Sequence, residues 1–167
     1  PVALLPKHMQ ENAASNAAAM ISILLPESIT DPKHWKGGVI NVLQDNDGYS
    51  RRYHVFMEQN GLRLPSLPAE VVRGLGGTVP ASPAFTLNWR ANTVMAHQRI
   101  EFVEFFSEVQ AGNQRYLAQF RDKLVIVGAT ASLLYDLKPS PIANDHFGVA
   151  ILATALDNLL HQDYFTT

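Results

Sequence analysis

The sequence predicts an α/β fold, a mixed β-sheet with a β-hairpin, at least one parallel βα unit and helices packed on the sheet, and three features carry that reading. Residues 39–43 and 49–57 have strand-like composition and flank Gln-Asp-Asn-Asp-Gly at 44–48, a turn-forming sequence at hairpin length. Leu124, Val125, Ile126 and Val127 form an unbroken apolar run stopped by Gly128, as a central strand buried on both faces requires. Val149, Leu152, Ala153, Leu156, Leu159 and Leu160 recur at helical spacing with Thr154, Asp157, Asn158 and His161 opposite, which predicts an amphipathic helix.

The remaining elements follow in chain order. Residues 2–5 are a short apolar run closed by Pro6 and are expected to be a strand. Residues 8–25 are alanine-rich, with Ala13, Ala14, Ala17, Met20, Ile21 and Leu24 near helical spacing, and should form a helix that ends before Pro26. Residues 26–38 combine prolines with the Gly37-Gly38 pair and read as loop. In the segment 49–57, alternation puts Arg51 on the face of Tyr53 and Val55 and Arg52 on the more polar face. Arg51 therefore needs an acidic partner, and its loss is expected to cost more than that of Arg52. Asn60-Gly61 is a second turn signal, and residues 67–75 are a short helix ended by Gly76 and Gly77. Residues 85–89 alternate as a strand does, whereas Phe102, Phe105, Phe106 and Val109 make an aromatic helical stripe expected in the core. Residues 128–147, with Pro139 and Pro141, are too long for a simple connector.

At 167 residues with 47% hydrophobic content the chain has enough apolar material for one domain over residues 1–167. It begins with proline rather than methionine, so it is expected to be a domain truncated on its N-terminal side. The formal charge of −2, from 13 basic and 15 acidic residues without a single-sign block, gives no electrostatic basis for nucleic-acid binding. Without cysteine there is no disulfide, thiolate nucleophile or cysteine-bound zinc. No apolar run approaches the roughly 18 residues needed to span a bilayer.

The most specific local motif for chemistry is Asp45-Asn46-Asp47-Gly48 after an apolar strand. Haloacid dehalogenases present a nucleophilic aspartate, and a second aspartate as acid and base beside magnesium, in this way. Their later strand ends in Gly-Asp, which helps hold the metal, whereas residues 124–127 here run into Gly128-Ala129. The competing reading is a hairpin turn whose aspartates bond their own backbone or pair with Arg51. The six histidines show no metal-ligand spacing, and no Gly-x-Ser-x-Gly elbow is present. Accordingly no catalytic residue, metal or cofactor is assigned.

Two blocks taken together resemble the type-two CHASE domain, an extracytoplasmic sensory module of bacterial signalling proteins. The first is GGVINVLQDNDGYSRRYHVF at 37–56, with Asp45, Asp47, Gly48, Arg51 and Arg52 in an Asp-x-Asp-Gly-x-x-Arg-Arg arrangement. The second is KLVIVGATASLLYD at 123–136, followed by Ser140-Pro141 and GVAILATALDNLL at 148–160. PSLPAEVVRGLGG at 65–77 matches the small helix that this family places between them.

The resemblance implies a non-catalytic ligand-sensing domain on the periplasmic or extracellular side of the bacterial inner membrane. Flanking transmembrane helices would join it to a cyclase, kinase or diguanylate cyclase output. Its ligand would be a small molecule or peptide of unknown identity, and a homodimer is an open expectation. The alternatives are a magnesium-dependent phosphohydrolase using Asp45 and Asp47, or a structural dimerisation domain. Asp45, Asp47, Gly48, Arg51 and Gly128 are expected to act structurally. Because ligands of open α/β sheets sit beyond the carboxyl ends of the strands, Thr130, Ser132 and Asp136 are the expected ligand-binding residues. An internal pinning role for Asp136, or a pocket on the hairpin, are the competing readings. Loss of the N-terminal part is expected to leave a cut edge or an exposed apolar face.

Overall fold

The computed structural model describes residues 2–4, 36–59, 61–90, 97–131 and 136–166. The helix expected over residues 8–25 lies outside them.

The described residues form a mixed αβ structure built from short strand pairs and four α-helices. Strand β1 (Val2–Leu4) pairs in parallel with β2 (Lys36–Gly38). The expectation of loop up to residue 38 is thus corrected, because Gly37 and Gly38 are in a strand. Gly38 is needed there for closeness rather than for a turn: a Cβ on it would lie 2.5 Å from the Cα of Leu67. That approach lets Val39 donate to Pro65 O and accept from Leu67 N, both at 2.9 Å.

The hairpin expected across residues 39–57 is present only as its turn. Beyond Val39, which bridges Ser66, the first arm forms no strand. The second arm divides into β3 (Arg52–His54) and β4 (Phe56–Gln59) with different partners. β3 pairs antiparallel with β6 (Ala84–Thr86), and β4 with β5 (Leu62–Pro65) across the Asn60-Gly61 signal. Val55 marks the division: its N–H goes to Pro83 O and its carbonyl to Ser66 N. On its other edge Thr86 exchanges two backbone bonds with Phe165, so β6 is paired on both sides.

Helix α1 (Leu67–Gly74) starts with proline in its first turn, where a missing N–H costs nothing. It stops in a Schellman arrangement, with Gly77 N bonded to Val72 O, Gly76 N to Arg73 O, and Gly76 at φ +80°. Helix α4 (Gly148–His161) packs against α1, and the core between them contains Val72, Ala69, Ile151, Ala155 and Leu159 with Tyr53, Val55, Phe85 and Leu87 from the strands. The expected polar face of α4 needs correction. Thr154 and Asn158 are buried while Leu160 is 40% exposed. Both buried groups are satisfied: Thr154 Oγ1 donates to Ala150 O at 2.9 Å, and Asn158 exchanges two bonds with the backbone of Asn88. A helix covered on most sides does not reveal its buried stripe by hydropathy alone.

Two further expectations are overturned. Residues 124–127 form no strand and are 37 to 68% exposed, so the central buried strand is absent from the described structure. Such a run needs a neighbouring strand to bury it, and the structure gives it none among the described residues. Helix α2 (Phe102–Gln110) buries no residue; Phe102 and Phe106 are 62% and 51% exposed. Its aromatic stripe is a surface: the short α3 (Gln114–Leu117) packs beside the helix, and Phe120, in the 3-10 turn Ala118–Phe120 that follows, meets Phe105 edge-on at 5.4 Å. Residues 137–147, read as loop, instead hold a hairpin of β7 (Leu137–Ser140) and β8 (Ala143–Phe147) that turns at Pro141.

Candidate functional site: a charge-paired cleft at the Asp45–Gly48 turn

Residues 45–49 close on themselves through short-range bonds. Asp45 N donates to Tyr49 O and Gly48 N to Asp45 O, both at 2.8 Å, and Gly48 sits at φ +84°, where a side chain would be strained. Asp47 Oδ1 accepts from Tyr49 N at 3.2 Å, the self-bonding geometry that favours aspartate in turns. The turn places two carboxylates beside the two arginines that follow it.

Arg51 grips Asp47 with two bonds, Nη1 to Oδ1 at 2.8 Å and Nη2 to Oδ2 at 2.7 Å, and reaches Asp45 Oδ2 at 3.5 Å. Arg52 donates Nε and Nη2 to Asp45 Oδ1 at 2.8 and 2.6 Å. The expected acidic partner of Arg51 is present. Arg52 is paired as well, and it holds Asp45, the less exposed carboxylate. Bonds from the Arg51 guanidinium, and then from Tyr49 N, hold the Asp47 carboxyl down to about 2. His54, one strand position on, is pushed below its ordinary value by burial and then by Arg52, with Asp45 opposing. Asp45, Asn46, Asp47, Arg51, Arg52 and Thr86 line an open cleft of about 530 Å³.

This chemistry suits recognition better than turnover. A carboxylate held near pH 2 carries no proton to donate at neutral pH, and one bridged by a guanidinium is a weakened nucleophile. Among the described residues no group of three or more His, Asp or Glu side chains is arranged to hold a metal ion.

Thr130 and Asp136, two of the residues expected to bind ligand, each contact a protein group. Thr130 Oγ1 accepts from Arg99 Nη2 at 3.1 Å. Asp136 takes the Gly148 N–H on its carbonyl, and its carboxylate lies where a Gly148 side chain would be. It is thereby engaged at the start of α4, where negative charge is favoured by the helix dipole. Ser132 lies outside the described residues. Gly128 lies against the start of α4, and a Cβ there would come 2.4 Å from Val149 Cγ2.

Other polar groups were given no role from the sequence. Thr86 and Asn46 line the cleft. Buried Ser140 and His146 join at 2.8 Å, with His146 against the Trp89 ring. Arg90 clamps Asp157 and Asp163 at the end of α4. The partners of Arg90 lie 67 and 73 residues away in sequence, so no local motif marks them. The one available clue is Asn158, a polar residue near the apolar stripe of α4.

Among the described residues no helix is long and apolar enough to cross a membrane. Neither a curated protein nor a solved structure matches the chain. The sequence profile of the CHASE2 domain does match, over residues 3–167, and so takes in the charge-paired turn, α1 and α4 together. The chain belongs to the CHASE2 domain family, whose members are extracytoplasmic sensory domains of bacterial signal-transduction proteins.

Proposed function

We propose that this chain is the ligand-sensing domain of a membrane-anchored bacterial signalling protein, held outside the cytoplasmic membrane and catalytically inert itself. Its output would be a separate cyclase, kinase or diguanylate cyclase domain. The family match over nearly the whole chain carries the reading. The pairing of Asp45 and Asp47 with arginines supports it over the phosphohydrolase alternative. A sensor of this kind works only if its ligand prefers one of two conformations, and that preference limits the shift it can impose.

The absence of cysteine gives a direct test of placement. Val103 is 80% exposed on α2, so Val103→Cys in the intact protein offers a surface thiol. Intact cells treated with a membrane-impermeant maleimide should label this variant above its parent. Labelling only after lysis would refute the extracytoplasmic placement. Magnesium-dependent phosphatase turnover abolished by Asp45→Asn would refute the non-catalytic reading.

A further inference from the structure

We propose that the cleft at the Asp45–Gly48 turn recognises a small zwitterion of the α-amino acid type, with its carboxylate on Arg52 and its ammonium group on Asp47. The inference rests on the sensing reading and assigns it a ligand class. Every residue lining the cleft is polar or charged, and its volume of about 530 Å³ suits a small molecule. Its two carboxylates and two guanidiniums cancel, so a ligand of net charge gains no excess of opposite charge and meets a like charge beside each partner.

A zwitterion meets both signs at once. Arg52 spends Nε and Nη2 on one oxygen of Asp45, which leaves Nη1 without a protein partner among the described residues, on a side chain 51% exposed. Asp47 is 54% exposed. Arg51 and Tyr49 N occupy three of the roughly four lone-pair directions on its carboxylate, leaving one for an ammonium donor. The ligand would extend a chain of alternating charges rather than break an existing pair. Asn46 and Thr86 add groups that both donate and accept, suited to the polar side chain of an amino acid. A neutral polyol could use those two residues but would forgo the charge-assisted bonds, which are about twice as strong as neutral ones. The turn is already fixed by its backbone bonds and ion pairs, so little ordering is required on binding.

The test is a thermal-shift and calorimetric panel on the full chain, using the protein amino acids, a set of neutral sugars, and inorganic phosphate. At least one amino acid should raise the melting temperature in a dose-dependent way. Its N-acetyl and carboxamide derivatives, each lacking one charge, should bind at least tenfold more weakly. Asp47→Asn and Arg52→Gln, with circular dichroism matching the parent, should each weaken binding by at least tenfold. If one variant fails to fold, the two derivatives and the other variant decide the matter. Binding by no amino acid, equal binding of the blocked derivatives, or full affinity in a folded variant would each overturn the inference. A sugar or phosphate that binds where amino acids do not would overturn the ligand class and leave the sensing reading intact. Labelling only after lysis in the cysteine experiment would instead count against the extracytoplasmic sensing role on which the inference rests.

Discussion

Gly38→Ala tests whether the close approach of β2 to the start of α1 holds the fold together. The new Cβ would lie 2.5 and 2.6 Å from Leu67 Cα and N and 2.9 Å from Ser66 C, all backbone atoms that no side-chain rotation can move aside. Relief requires the two segments to part by roughly 1 Å, and overpacking of this kind costs about 1 to 3 kcal/mol. The same movement stretches Val39 N to Pro65 O and Leu67 N to Val39 O, both 2.9 Å, at about 1 kcal/mol for each bond lost. Reduced freedom of the unfolded chain returns about 0.4 to 1 kcal/mol. The balance is a loss of about 2 to 4 kcal/mol, a large part of the roughly 5 to 15 kcal/mol that stabilises a typical domain. Gly74 provides the control, because a Cβ there meets only Lys36 Nζ at 3.9 Å and the residue is helical. Gly74→Ala should be neutral or stabilising by up to about 1 kcal/mol. Urea unfolding of both variants against the parent measures the difference. Equal effects, or a Gly38→Ala midpoint matching the parent, would refute the argument.

Other perturbations separate further parts of the structure. Ile151→Ala, at a fully buried α4 position, should lose about 2 to 5 kcal/mol, whereas Leu160→Ala, 40% exposed, should lose clearly less in the same urea series. Because the Asp47 carboxyl is held from 3.8 down to about 2, its pairing with Arg51 stabilises the fold above pH 4 and is lost as pH falls toward 2. Melting curves across that window should show the loss in the parent and a smaller one in Arg51→Ala. His54 titrates below its ordinary value, so the folded state resists its protonation; stability should decline as pH drops below 6.5, and His54→Gln should flatten that decline. Thr130→Val and Asp136→Asn, measured with whichever amino acid binds, should retain parental affinity if the cleft is the site; a drop of tenfold or more in both would move the ligand to residues 128–147.

The parts that the sequence determined are those whose bonds close within a few residues. The Asp45–Gly48 turn, the Asp47–Arg51 pair and the double-glycine stop of α1 each join groups no more than six positions apart, so residue type and spacing specify them. Helix α4 was legible as a helix for the same reason, since its backbone bonds are local. Which side of α4 is buried was decided elsewhere: Asn158 is buried because Asn88, 70 residues away, supplies backbone partners for its amide. Hydropathy ranks a side chain by its cost of leaving water and carries no record of a distant partner that offsets that cost. The same distinction separates the two arginines. Alternation along one strand put Arg52 on the more polar face, where it is half-exposed, but it carried no record of Asp45, which the turn folds back as its partner. Residues 124–127 and the α2 stripe have the composition of buried elements and lie exposed, because composition specifies a surface that gains from burial while only tertiary structure supplies what buries it. Gly37 and Gly38 read as loop for the converse reason. Glycine permits both a turn and a close backbone approach; pairing with β1 made Gly38 a strand residue, and Leu67 lies close against it.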